Sequence, residues 1–221
     1  LLYTSGTTGF PKGALLSHQT VVVAAQTAVA TFDLRPADRV LLSLSLFHSF
    51  AQTAALHPCF EAGATLILHR QFEVEAILRS LQEQAATFFF GVPTLYILLQ
   101  AQATPAQLHS VRRYISAGAS LPVEVARRWQ AMCGTAINEG YGLTEICLGT
   151  FNHEPLAKPG SVGKALAGVR LGIVNGAGEQ VSPGELGEVL IQTPSVMLGY
   201  WNRPTETAAV LRDGWFHTGD I

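Results

Sequence analysis

The sequence predicts an α/β fold in which a parallel sheet is layered with helices and is followed by a smaller β-rich subdomain. Up to about residue 150, short runs that are apolar on both faces alternate with helical patterns, as buried parallel strands and their crossover helices do. Beyond that point strand patterns follow one another across Gly- and Pro-rich turns, which is typical of antiparallel pairs. With 221 residues, 48% of them hydrophobic, the chain can bury the core that such a fold needs.

The first part of the chain contains four predicted strands and three predicted helices. Aliphatic and aromatic residues fill the predicted strands, which span residues 39–46, 64–69, 86–92 and 112–118. Apolar residues three and four positions apart predict helices over residues 74–84, 93–102 and 122–133. Because parallel neighbours need a crossover between them, this order predicts βαβ units in an α/β subdomain over residues 1–154.

The remaining residues, 155–221, are predicted to form the β-rich subdomain. Strand patterns at 169–175 and 188–193 flank the turn-rich segment GAGEQVSPGELG, as in an antiparallel pair. The first letters, LLYTSG, resemble the end of a buried strand, and the last, WFHTGDI, include neither a polar tail nor a helix cap. We therefore expect the chain to be a piece of a longer protein.

Composition excludes several classes of function. Charged residues make up 14% of the chain and the net charge is −2, which argues against binding to nucleic acid or to an anionic membrane surface. The longest apolar run, TVVVAAQTAVATF, is too short and too polar for a transmembrane helix. The three cysteines show no C-x-x-C spacing, which favours a reducing compartment and a cytoplasmic protein.

The segment YTSGTTGFPKG, residues 3–13, predicts a phosphate-binding loop. Glycine, serine and threonine after a strand offer backbone N–H groups and hydroxyls to one concavity, and Lys12 adds a positive charge. The segment matches neither G-x-x-x-x-G-K-[ST] nor G-x-G-x-x-G. A flexible surface turn is the alternative interpretation.

Two further segments carry polar groups suited to a nucleotide. In INEGYGLTEI, residues 137–146, Thr144 can donate to a phosphate, Glu145 suits Mg²⁺, and Tyr141 can stack on a base. In GWFHTGDI, residues 214–221, Asp220 can accept hydrogen bonds from both hydroxyls of a ribose. Taken singly, Glu145 could be a solvated residue at a strand end and Asp220 a turn residue.

In this order and spacing, the three segments resemble motifs of the adenylate-forming superfamily, and the match is close to its acyl-CoA synthetase branch. The resemblance runs along the whole chain and includes the long signature from GELGEV to HTGD, residues 184–220. It implies the fold of an acyl-CoA synthetase N-terminal domain. It also implies that the family's N-terminal part and C-terminal lid domain, with its distal lysine, are absent from these residues.

The resemblance assigns nucleotide contacts residue by residue. The phosphates of ATP would be wrapped by Thr4, Ser5, Gly6, Thr7, Thr8 and Lys12. Adenine and ribose would be held by Gly118, Ala119, Ser120, Glu139, Gly140, Tyr141 and Asp220. Glu145 would be the Mg²⁺ ligand, and the catalytic set would be Thr144, Glu145, Lys12 and His48.

The resemblance also assigns an acyl pocket. Its lining would consist of Phe47, His48, Phe90, Gly91 and Val92. The sequence departs from the family where Ala51 and Gln52 replace a glycine that usually follows the Phe-His pair, so the pocket is expected to differ in shape there.

The function implied is ATP- and Mg²⁺-dependent activation of a hydrophobic carboxylic acid, fatty or aryl, followed by thioester formation with coenzyme A. An amino-acid or fatty-acid adenylation domain that loads a carrier protein is one alternative, and a non-catalytic nucleotide-binding module is another. Amino-acid adenylation domains commonly place an aspartate where this chain has His48, and SLSLFHSFAQTAAL contains no carboxylate. An apolar or aromatic acid is therefore favoured.

Overall fold

A computed structural model of the chain describes residues 1–4, 10–153 and 158–221. The strands are β1 Leu2–Thr4, β2 Lys12–Leu15, β3 Arg39–Leu42, β4 Thr65–Leu68, β5 Phe88–Gly91, β6 Arg113–Ser116, β7 Ile137–Tyr141, β8 Thr150–Phe151, β9 Lys164–Ala165, β10 Arg170–Val174, β11 Glu188–Gln192, β12 Gly199–Tyr200, β13 Leu211–Arg212 and β14 Trp215–His217. The helices are α1 His18–Phe32, α2 His57–Ala62, α3 Val74–Glu83, α4 Pro93–Gln100, α5 Pro105–Leu108, α6 Val123–Cys133 and α7 Pro204–Val210, and a π-helical segment, Ala51–Leu56, leads into α2.

The central layer is a seven-stranded sheet in the order β4-β3-β5-β6-β7-β8-β9. Its first five strands are parallel to one another, whereas β8 pairs antiparallel with β7, and β9 pairs antiparallel with β8. Two smaller antiparallel sheets have the orders β1-β2-β12 and β10-β11-β14-β13. The predicted α/β class is therefore confirmed.

The parallel strands are apolar on both faces because each face carries a helical layer. Leu41 and Phe89 point into a core cluster that includes side chains of α3, α4 and α6. Their neighbours Leu42, Phe88 and Phe90 point into the second cluster, which includes side chains of α1 and the π-helical segment. This alternation is the period of two that a strand imposes on its side chains.

The predicted helices and most predicted strands are confirmed to within a few residues, and three segments differ. The strand predicted over 39–46 ends at Leu42, because its register with β4 and β5 ends there and the chain then turns, with Ser45 O accepting the N–H of His48 at 3.0 Å. The apolar run before residue 33 is helix α1, to which the sequence analysis assigned no element. The first strand is not buried, since it belongs to the three-stranded antiparallel sheet and its Tyr3 side chain is exposed.

The predicted boundary between residues 154 and 155 lies at residues that the structure does not describe, and it stays a prediction. On its far side, β9 extends the central sheet through β8. Leu166, Ile191 and Phe216 lie in the same core cluster as Phe90. The antiparallel part and the parallel sheet thus share a core. Within the described ranges, no helix is both long and apolar enough to cross a membrane.

A partly buried ion pair fixes the edge of the sheet opposite the carboxyl ends of its parallel strands. Asp38, with a side chain only 5% exposed, accepts hydrogen bonds from Arg112 at 2.6 and 3.0 Å and from the Thr87 hydroxyl at 2.7 Å. Burial alone would raise the pKa of Asp38, but these bonds and one from the N–H of Arg35 lower it below its ordinary value of 3.8.

This lowered pKa predicts a loss of stability in acid. Because the pKa of Asp38 is lower in the folded chain than in the unfolded one, its contribution is complete above about pH 4 and is lost as the pH falls through the folded value. We expect Asp38→Asn to lower the free energy of unfolding by about 1–3 kcal/mol at pH 7. The difference between the two proteins, measured by urea unfolding, should shrink below pH 4. A difference that stays constant down to pH 2.5 would contradict this.

Candidate active site

A cleft of about 820 Å³ lies at the carboxyl ends of the parallel strands, the edge at which ligands bind in open α/β sheets. Segments from all three sheets contribute to its wall. Of the residues predicted from the sequence, ten line it: Thr4, Lys12, Phe47, His48, Gly118, Gly140, Tyr141, Thr144, Glu145 and Asp220. Ser5, Gly6, Thr7 and Thr8 lie outside the described residues, so their predicted phosphate contacts stay predictions.

The segment that follows β7 turns back on itself and points Thr144 and Glu145 into the cleft. Its tightness requires a glycine at position 142, where a Cβ would lie 2.3 Å from the carbonyl oxygen of Cys147. The N–H of Gly149 closes the turn on the carbonyl of Tyr141 at 2.9 Å. Burial raises the pKa of the Cys147 thiol to about 12, so this cysteine is poorly suited to act as a nucleophile.

Glu145 is a buried carboxylate, 8% exposed, that still borders the cleft. Its Oε1 accepts the hydroxyl of Tyr200 at 2.6 Å. Burial raises the pKa of Tyr200, and the bond to Glu145 raises it further, so the phenol stays protonated and donates. Beside it, the Thr144 and Ser49 hydroxyls lie 3.0 Å apart.

The chemistry of these donors fits a magnesium ion. Oε2 of Glu145 receives no hydrogen bond from the residues that the structure describes, so it can bind a cation. Among those same residues, no group of three or more His, Cys, Asp or Glu side chains is placed to hold a metal. One carboxylate completed by waters and phosphate oxygens is how Mg²⁺ is commonly bound.

Lys12, at the start of β2, brings a positive charge to the cleft. Its Nζ lies 5.0 Å from the centroid of the Tyr200 ring, a distance at which a cation is attracted to an aromatic face. Lys12 and Glu145 therefore contact the same tyrosine, one through the ring and the other through the hydroxyl.

Asp220 lies across the cleft from the parallel sheet, after β14. Its Oδ2 accepts the hydroxyl of Tyr141 at 2.5 Å. Its backbone N–H donates to the Thr218 hydroxyl at 3.0 Å, and its carbonyl accepts the N–H of Val189 at 2.9 Å. Glu188 accepts the N–H of Gly219 at 3.0 Å, so the whole turn is fixed to the start of β11.

The other end of the cleft is aromatic. Phe32, Phe50 and Phe151 line it, and the Phe32 ring lies 4.9 Å from Phe151 and 5.8 Å from Phe90 in edge-to-face contacts. His48 accepts the N–H of Phe50 on Nδ1 at 3.1 Å. In the neutral ring this leaves the proton on Nε2, where it can be donated to a carboxylate.

Six predicted residues do not line the cleft. Phe90 is fully buried behind Phe32 and Phe50, and the Glu139 carboxylate accepts the N–H groups of Leu121 and Gly160 at 3.3 Å. A Cβ on Gly91 would lie 3.0 Å from Phe89 and 3.1 Å from Tyr96, in the core on the other face of the sheet. The remaining residues are Val92, Ala119 and Ser120.

Val92 nevertheless lies close to the cleft. One of its methyl groups is 3.7 Å from the place where a Cβ on Gly118 would lie, and Gly118 borders the cleft with a left-handed φ of +84°. Ala119 and Ser120 follow it on the exposed surface. The roles assigned to these residues from the sequence stay predictions.

Sequence reasoning missed several residues that line the cleft. Tyr200 is the most consequential, together with Ser49, Glu188 and the aromatic residues Phe32, Phe50 and Phe151. The segment that contains Tyr200 belongs to the long signature, which was the only signal available. Nothing in the spacing of residues 145 and 200 indicates that their side chains touch.

Comparison with known proteins assigns this arrangement to a family. A family model described as AMP-binding enzyme matches residues 1–201, which include every motif up to β12. The chain belongs to this family. The resemblance to the adenylate-forming superfamily inferred from the motifs is thereby confirmed.

Relatives within the AMP-binding family are similar along the whole chain. The identity is 38% over 226 residues to a feruloyl-CoA synthase of Amycolatopsis sp and 37% over 228 residues to a long-chain-fatty-acid–CoA ligase of Bacillus subtilis (strain 168). The two alignments cover all of this chain but only 46% and 41% of the respective relatives. Among solved structures, ATP-bound MatB from Rhodopseudomonas palustris matches with a TM-score of 0.94 at 35% identity, over 99% of this chain and 44% of that one. The chain thus spans less than half the length of these three relatives.

Proposed function

We propose that these residues serve an AMP-forming acid–thiol ligase, which joins a hydrophobic carboxylic acid to ATP as an acyl-adenylate and transfers the acyl group to coenzyme A. The observation that carries the proposal is the convergence of separate segments on one cleft, where Lys12, Glu145 and Asp220 lie beside an aromatic end. The names of the relatives support it, since one is a feruloyl-CoA synthase and another a long-chain-fatty-acid–CoA ligase.

In the first step, a carboxylate oxygen of the acid bonds to the α-phosphorus of ATP while the bond from that phosphorus to pyrophosphate breaks. Lys12 and the Thr144 hydroxyl would stabilise negative charge on the phosphates, which is positioning and electrostatics rather than covalent chemistry. Glu145 would hold Mg²⁺, whose charge neutralises phosphate oxygens when it is bound. Asp220 would accept the ribose hydroxyls in place of the Tyr141 hydroxyl.

The acid itself would lie at the aromatic end. The Nε2–H of His48 would orient the carboxylate, and Phe32, Phe50 and Phe151 would surround the apolar remainder and exclude water from the activated carbonyl. In the second step the thiol sulfur bonds to that carbonyl carbon, AMP leaves, and the thiol releases its proton.

A carrier-protein phosphopantetheine presents the same thiol as coenzyme A, so it is the alternative acceptor. The two acceptors can be compared directly by offering each to the preformed adenylate. A non-catalytic nucleotide-binding module is the other alternative, and it would bind ATP without exchanging pyrophosphate in the presence of any acid.

The phosphate side of the proposal is tested by Lys12→Ala. Loss of one charge-assisted contact should weaken ATP binding by about 1.5–3 kcal/mol, roughly 10- to 150-fold, as measured by calorimetry. Lys164→Ala removes the same charge at an exposed position outside the cleft and should bind ATP as the wild type does. Asp220→Ala should weaken binding independently by removing the acceptor for ribose. Unchanged affinity in both cleft variants would refute the assignment.

A further inference from the structure

Tyr200 contacts both Lys12 and Glu145, the oppositely charged residues for which we propose phosphate and metal binding. Its side chain is largely buried, with the residue 7% exposed, its hydroxyl donates to Glu145 at 2.6 Å, and its ring faces the Lys12 ammonium at 5.0 Å from the centroid. No ion pair joins Lys12 to Glu145 among the described residues. The tyrosine therefore contacts both charges while the two charges do not contact each other.

The backbone holds this side chain in a fixed place. Tyr200 lies opposite Ala14 in the ladder between β12 and β2, the strand that begins with Lys12. Its N–H donates to the Thr207 hydroxyl at 2.9 Å, and the N–H of Trp201 donates to the carbonyl of Gly13 at 2.7 Å. Residues on one face of neighbouring strands, directly or diagonally opposite, are within reach of long side chains, so the strand pairing sets the contact between Lys12 and the ring.

We propose that Tyr200 is a positioning residue of this site, with a separate task for each part of its side chain. The hydroxyl orients the Glu145 carboxylate so that Oε2 is presented to a divalent cation. The ring holds the ammonium of Lys12 away from that carboxylate, so that neither charge is neutralised by the other and both remain available to a metal–nucleotide complex. This inference rests on the proposed function, because it gives the two charges the roles proposed there.

The contacts of hydroxyl and ring can be separated experimentally. Tyr200→Phe removes only the bond to Glu145 and keeps the ring beneath Lys12. We expect the affinity for ATP in EDTA to stay within about twofold of the wild type, whereas the gain in affinity on adding MgCl₂ should fall about 10-fold or more, the effect usual for outer partners of a metal ligand. Calorimetric titration of the 221-residue chain with ATP, with and without MgCl₂, measures both quantities without turnover.

Tyr200→Leu removes the ring as well. Without it Lys12 can collapse onto Glu145, so we expect ATP binding in EDTA to weaken by about two- to fivefold in addition to the loss of the magnesium effect. Adding Tyr200→Phe to Glu145→Gln should change the magnesium effect little, because the hydroxyl acts through that carboxylate. A further fall in ATP affinity in MgCl₂ when Tyr200→Phe is added to Glu145→Gln would overturn the inference.

Tyr114→Phe is the matched control. It removes a tyrosine hydroxyl that donates at 3.0 Å to the carbonyl of Leu108 in the core on the other face of the sheet. It should lower the melting temperature without changing the magnesium effect. Tyr200→Phe would give the same result if the role of Tyr200 were purely structural. If Tyr200→Phe keeps the wild-type magnesium effect and Glu145→Gln abolishes it, the inference is overturned but the proposed metal ligand is not. A magnesium effect that survives in Glu145→Gln overturns both the inference and the proposed metal ligand.

Discussion

Glu145→Gln is expected to slow adenylate formation by about 100- to 1000-fold, the scale on which the loss of one preorganised charge-stabilising group is felt. The substitution keeps the size of the side chain and an oxygen that can still accept the Tyr200 hydroxyl. It removes the negative charge that a divalent cation requires. ATP–pyrophosphate exchange across a magnesium titration, in the longest polypeptide that contains these residues, measures the effect.

A second carboxylate of the cleft, Glu188, distinguishes loss of the proposed metal ligand from loss of any negative charge in the cleft. Glu188→Gln removes a carboxylate that lines the same cleft but is occupied by the N–H of Gly219. It should alter ATP affinity modestly and leave the magnesium concentration at half-maximal rate unchanged. The melting temperature of Glu145→Gln should stay near that of the wild type. An exchange rate equal to the wild type at every magnesium concentration would show that Glu145 is not the ligand.

The parallel part of the fold could be predicted because its strands have no polar face. In FFFG, residues 88–91, successive side chains enter two different cores, and only helices on both faces of the sheet can bury both sets. The same alternation places two residues of the predicted acyl pocket on opposite faces of the sheet. Phe90 faces the aromatic end of the cleft from behind its lining, whereas a side chain on Gly91 would enter the opposite core.

The contacts of Tyr200 could not be predicted because they depend on strand pairing between distant segments. The β12–β2 ladder brings residue 200 beside residue 14, and the turn after β7 then brings Glu145 to its hydroxyl. Apolar periodicity carries no information about either approach. Asp220 and Tyr141 were each singled out for a nucleotide, but only the structure joins them, through a hydrogen bond across the cleft.

The acid specificity should show the second large effect. Among the described residues that line the cleft, negative charge is confined to Glu145, Glu188 and Asp220, and each of these carboxylates already accepts a hydrogen bond on the nucleotide side. Around His48 the lining is aromatic. An α-ammonium placed there would be buried without a partner, at a cost of several kcal/mol.

We therefore expect 3-phenylpropionate to be activated roughly 1000-fold more efficiently than phenylalanine, since about 4 kcal/mol separates them and they differ only by that ammonium. Pyrophosphate exchange with the two acids, in the longest polypeptide that contains this chain, gives the ratio of their kcat/KM values.

His48→Asp supplies a carboxylate next to the aromatic end and should lower this preference for 3-phenylpropionate by at least tenfold. The ammonium of phenylalanine then gains a partner, while the carboxylate of the substrate loses the Nε2–H donor. Phe47→Leu, at a side chain that is 80% exposed, alters the neighbouring position without adding charge and should leave the ratio near its wild-type value. Faster exchange with phenylalanine than with 3-phenylpropionate in the wild type would overturn the assignment of a hydrophobic acid, because the ammonium would then have a partner that the aromatic end of this cleft does not contain.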